Sequence, residues 1–129
     1  MATDQAMSDR PSWKCEVCEL PIAGDDGVLF MEYGDLRRRD DALDAWRQAH
    51  PGPAYSGEDH ATYPERVHWH VRHHACGGEG EAVAVYVIES GRIDTWRKVA
   101  GWTAHLMEKR WLGDTDWAAR LYSAGVGAI

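Results

Sequence analysis

Residues 66–76 read RVHWHVRHHAC, and residues 13–18 read WKCEVC. The longer stretch opens as a strand: Val67, Trp69 and Val71 alternate with His68 and His70, the period of two that puts one set of side chains on a buried face. It runs without a break into His73-His74-Ala75-Cys76. Cys15 and Cys18 repeat the same two-residue spacer. Zinc prefers thiolate and imidazole donors in a tetrahedron, and a structural site fills all four positions with protein. The three cysteines are an odd number that argues against a disulfide scaffold, and one Cys3His site uses all of them. One structural zinc ion held by Cys15, Cys18, His73 and Cys76 is therefore expected. The histidine is the least fixed of the four: His73 has the matching spacer, while His74 and His70 are within reach. A redox role for the Cys15–Cys18 pair is disfavoured, because no strand precedes it and no helical pattern follows it.

Working outward, Pro21, Gly24 and Asp25-Asp26-Gly27 mark turns. Val28 to Tyr33 alternates as a first strand. Gly34-Asp35 is read as a break and cap that opens a helix from Leu36 to about His50, with Leu36, Leu43 and Trp46 on one face. Pro51 and Pro53 end it, since proline cannot continue a helix and restricts the residue before it. Residues 51–65 are expected to be a loop. Beyond Cys76, Gly77-Gly78-Glu79-Gly80 reads as a turn, and Ala82 to Ile88, apolar at nearly every position, as a strand buried on both faces. Ser90 is read as the cap of the longest helix, from about Arg92 to Trp111. A last helix follows from Asp114 or Thr115 through Tyr122 and stops at Gly125. Trp96, Trp111 and Trp117 recur at helical spacing and are assigned to the core, whereas Trp102 is offset and a candidate for an exposed contact.

The expected fold is a small zinc-stabilised α+β domain. It has an antiparallel β-hairpin plus a third strand, an inserted helix over 35–50 and a C-terminal helical hairpin. Residues 13–125 form this single domain, between a disordered lead over 1–12 and a tail over 126–129.

A chain of 129 residues has room for one core. The net charge of −7 makes duplex DNA a poor partner, because affinity for it rests on phosphate neutralisation. Consecutive Arg37, Arg38 and Arg39 are read as a solvated helix face. No run of about 18 apolar residues is present for a membrane span, and residues 1–12 lack the apolar stretch of a secretory signal. Together with cysteines spaced for a metal, these features give a cytoplasmic expectation.

Cys15, Cys18, Trp69, His73 and Cys76, in the order knuckle, aromatic-bearing strand, second ligand pair, resemble the LIM and treble-clef class of zinc sites. The resemblance covers about residues 13–78, with a spacer of 54 residues between the pairs (19–72). It implies a non-catalytic zinc protein acting through protein–protein contact. The segment WTAHLMEKRW (102–111) also resembles small uncharacterised proteins of actinobacteria and their phages, which implies a cytosolic or phage-encoded accessory protein and no particular activity.

The alternative is a metal-dependent nuclease or nucleic-acid binder related to the HNH enzymes, which share the treble clef. His68 and His70 lie on one strand face, where they can bind a second ion or activate water. The chain has no asparagine for the middle position of that signature. A closed Cys3His site also offers water no coordination position, as catalytic zinc requires. A homodimer joined through the tryptophan-rich helical hairpin is a third possibility.

Overall fold

The computed structural model describes residues 10–52, 57–77 and 83–126. Expectations for residues 1–9, for most of the glycine-rich turn at 78–82 and for the tail from 127 lie outside them. The fold is α+β, with three antiparallel strands in the order β2-β1-β3.

The central strand, β1 (Gly27–Glu32), buries Gly27, Leu29 and Met31 and turns Val28, Phe30 and Glu32 the other way. It passes directly into α1 (Tyr33–Ala49). The predicted break at Gly34-Asp35 does not form: Tyr33 is already helical, and no side chain caps the end. Leu43 and Trp46 are buried as their spacing requires, but so is Arg39. The Arg37–Arg39 run is therefore not wholly a solvated face. Arg39 lies under the chain and donates to Asp114 at 2.5 Å and to the Glu65 carbonyl at 3.0 Å.

The expected loop over 51–65 contains a helical turn, α2 (Gly57–Ala61), with Thr62 behind it accepting a hydrogen bond from Trp46 Nε1 at 3.0 Å. Strand β2 (His70–His73) begins later than the alternation suggests. Val67, Trp69 and Val71 are buried as expected, but Val67 forms an isolated parallel bridge with Thr115 instead of pairing with β1. Strand β1 pairs with β2 from Gly27↔His73 to Phe30↔His70. Gly27 is required there, since a Cβ would sit 2.5 Å from the Arg72 carbonyl oxygen.

The third strand, β3 (Val85–Glu89), lies at the edge of the sheet. Ile88 is buried but Val87 is 42% exposed, so the double-sided burial inferred from its composition is corrected. Ser90 caps no long helix. Its buried hydroxyl donates to the Gly24 carbonyl at 2.6 Å and accepts from the Gly27 N–H at 3.1 Å, tying the start of β1 to the end of β3. Helix α3 runs only from Trp96 to Leu106, capped by Thr95, whose hydroxyl accepts from the Lys98 N–H at 3.2 Å. The longest helix is α1, with 17 residues. Helix α4 (Trp117–Ser123) follows, and Gly125 supplies a positive φ of 115° just beyond its end.

Trp69 is the hub of the core, 1% exposed, with ring centroids of Trp117, Tyr86 and Trp111 at 5.0, 6.1 and 6.2 Å. Its Nε1–H donates to Thr115 Oγ1 at 3.0 Å. Trp117 is buried, while Trp96, Trp102 and Trp111 pack half-buried against the same cluster. Trp102 thus belongs to the core margin more than to an open surface.

Candidate metal centre

The centre grows from a short turn fastened to the sheet. Trp13 is buried, and its Nε1–H donates to the Ile93 carbonyl at 2.9 Å. Lys14 bridges antiparallel to Pro21, and the Ile22 N–H returns to the Trp13 carbonyl at 2.8 Å. Inside this loop the Glu19 N–H bonds the Cys15 carbonyl at 2.9 Å, with Glu19 in the left-handed region at φ 64°. The Glu16 N–H bonds the Val71 carbonyl at 2.8 Å and so lays the turn along β2. Glu16 also accepts from Arg72 Nε at 2.9 Å and faces His70 Nδ1 at 3.0 Å.

The second half of the centre comes from the end of β2. His73 is its last residue, and the chain then winds into a 3-10 turn, His74–Cys76, that carries the last cysteine back. One ligand atom each from Cys15, Cys18, His73 and Cys76 lies within 4.8 Å of every other. Nδ1 of His73 is 3.2 Å from Cys18 Sγ and 3.9 Å from Cys76 Sγ. These distances bracket the value of about 3.6 Å expected between sulfur and nitrogen on one tetrahedral zinc. The other ring nitrogen, Nε2, faces the Pro21 carbonyl at 3.0 Å. A carbonyl can only accept, so Nε2 carries the proton and Nδ1 turns its lone pair to the sulfurs. Such an outer hydrogen bond fixes the ring and tautomer of a metal-ligating histidine.

The cysteines are chemically unequal. Cys15 is fully buried, and burial alone raises a thiol's pKa. Hydrogen bonds from the backbone N–H groups of Cys18, His73 and Val17 outweigh this and lower it to about 6. Among the described residues, none gives Cys76 such backbone support. Burial and the neighbouring sulfurs of Cys18 and Cys15 push it up to about 11. Interaction with the Cys15 sulfur raises the pKa of His73 despite its partial desolvation. Three thiols cannot ionise together in this space without a cation, and the chemistry of the donor set fits a soft divalent metal.

The remaining histidines point elsewhere. His74 Nε2 meets Glu89 Oε1 at 2.8 Å, and His70 turns to Glu16. His68 Nδ1 faces Asp116 Oδ2 at 2.9 Å. His68 and His70 share no group of metal-ligating atoms among the described residues. Sequence spacing gives Glu16 no role and marks Pro21 only as a turn; one is a spacer inside Cys-x-x-Cys and the other acts through its backbone, which no side-chain pattern reports.

No family model matches the chain, and neither a curated protein nor a solved structure matches it. The class defined by the site is accordingly a small α+β domain with a Cys3His cluster positioned to hold a metal ion. Among the described residues, no helix is long and apolar enough to cross a membrane.

Proposed function

We propose that the protein is a non-catalytic structural-zinc domain that works by presenting a rigid surface to a protein partner. Cys15, Cys18, His73 and Cys76 are its ligands to one zinc ion. The observation that carries this reading is the orientation of His73, whose Nε2 meets Pro21 at 3.0 Å while Nδ1 joins three sulfurs. Four protein donors close the tetrahedron and leave water no place, the mark of a structural zinc. The layout, a turn giving two ligands and a strand end with its following turn giving two, supports kinship in kind with the treble-clef sites.

What the metal would position is the outer rim of the turn. Val17 and Leu20 are 55% and 62% exposed on either side of Cys18, apolar side chains held out by a loop that zinc makes stiff. Apolar groups on a rigid support suit a binding site, and an acidic chain suits a neutral or basic protein more than bare nucleic acid. A reducing cytoplasm is the compartment in which these thiolates keep their metal.

Native mass spectrometry tests the metal, with one zinc per chain expected. Chelation should then lower the melting temperature by roughly 10 °C, equivalent to about 3 kcal/mol in a domain of this size. Absence of metal, or a melt that ignores chelation, overturns the reading. For the surface, a photo-crosslinker at Leu20 should capture a protein only from zinc-loaded chain. Capture of a second copy of this chain would identify a homodimer; equal capture with and without zinc would refute metal-positioned contact.

A further inference from the structure

Glu32, Asp35 and His70 bring one ligand atom each to within 4.8 Å of one another. The two faces of β2 are occupied differently: His70 stands three residues before His73 and therefore faces away from the cysteine centre. Glu32, the last residue of β1, alternates onto the same face as Phe30, the register partner of His70. Asp35 enters from the first turn of α1. Strand pairing and the uninterrupted passage from β1 into α1 thus assemble the trio.

The imidazole is already prepared. Glu16 places its two carboxylate oxygens 3.0 and 3.1 Å from Nδ1 of His70, and Arg72 holds Glu16 at 2.9 Å. Because a carboxylate only accepts, Nδ1 carries a proton, which leaves Nε2 as the nitrogen that can take a metal. Phe30 stacks on the ring at 4.9 Å and fixes its plane. This is the carboxylate–histidine arrangement that orients a metal ligand. Asp35 has Arg38 as an ion-pair partner, whereas Glu32 has none among the described residues. Asp35 and His70 line a cleft of about 390 Å³, with Arg38, Arg66 and His68 on its other walls.

We propose that Glu32, Asp35 and His70 form a second metal site, separate from the cysteines, for a hard divalent cation of the magnesium or manganese class. The two carboxylates suit such ions, which the thiolate set does not, and the imidazole favours manganese over magnesium. Three protein ligands leave about three positions of an octahedral shell for water or an anionic oxygen. Glu16 is a positioning residue that acts through His70.

The test is a titration of the zinc-loaded full chain with manganese(II), followed by the loss of the free-ion signal in electron paramagnetic resonance. One manganese per chain is expected. Glu32→Gln, nearly isosteric and at a helix end that uses no side-chain cap, should weaken binding by at least about tenfold, as should His70→Ala. Zinc content and circular dichroism verify that each variant is folded. Absence of stoichiometric binding overturns the proposal. So does a folded Glu32→Gln or His70→Ala chain whose affinity equals that of the unaltered protein.

Discussion

His73 is held between Pro21 and Cys18, with Nε2 3.0 Å from the Pro21 carbonyl and Nδ1 3.2 Å from the Cys18 sulfur. Three adjacent candidates are thereby separated by direction, since His74 meets Glu89 and His70 meets Glu16. His73→Ala is expected to lose zinc at micromolar protein under native mass spectrometry, while His74→Ala and His70→Ala retain it. Retention by His73→Ala together with loss by His74→Ala would assign the ligand to the other histidine.

The ion pair between Arg39 and Asp114 joins residues 75 positions apart, with the arginine side chain 8% exposed. Removing one member of such a pair leaves the other unpaired in a poorly hydrated place. Asp114→Ala should therefore cost about 2 kcal/mol in urea unfolding, below the roughly 3–5 kcal/mol of a fully buried pair because Asp114 is 37% exposed. Arg39→Met, which keeps the stem and removes the charge, should cost under about 1.5 kcal/mol. The reverse order would mean that the bond from Arg39 to the Glu65 carbonyl outweighs the ion pair.

Burial raises the pKa of Glu16, but hydrogen bonding by Arg72 and the charge of His70 outweigh this and leave it below its ordinary value of 4.5. A carboxylate whose folded pKa is depressed stabilises fully above the unfolded pKa, and loses that contribution as pH falls through the folded one. The stability gap between the unaltered chain and Glu16→Gln is accordingly expected at about pH 6 to 7, above the carboxylate range. It should close as pH drops below 4.5. A gap that widens on acidification would contradict the sign.

Ser90 is 2% exposed and serves both Gly24 and Gly27. Ser90→Ala leaves a buried N–H and a carbonyl without this partner, for an expected cost of about 1–3 kcal/mol by chemical denaturation. A change below about 0.5 kcal/mol would show that water replaces the hydroxyl freely.

Much of this was legible in the chain, for reasons that differ by residue. Cys15, Cys18, His73 and Cys76 could be grouped because ligand spacing within each pair is local. The inward set Val67, Trp69, Val71 followed from alternation alone. What failed depended on distant partners. Nothing near Arg39 announces Asp114, and nothing near Val67 announces that Thr115 will replace β1 beside it. Ser90 resembles a helix cap in sequence, yet its hydroxyl is claimed by residues more than 60 positions earlier. Val87 is apolar but sits on an edge strand, where composition gives no warning of exposure. Spacing gives Glu32 and Asp35 no ligand role, because strand register and the passage from β1 into α1 are what bring them to His70.

The bond from the Glu16 N–H to the Val71 carbonyl has one more consequence. Strand β2 lies at the rim of the sheet, with β1 on its inner side, so its outer backbone groups are those that a foreign strand would seek. The cysteine turn occupies that margin. Loss of a bound metal would therefore loosen a guard as well as a fold, freeing the open strand border at His70–His73 for self-association.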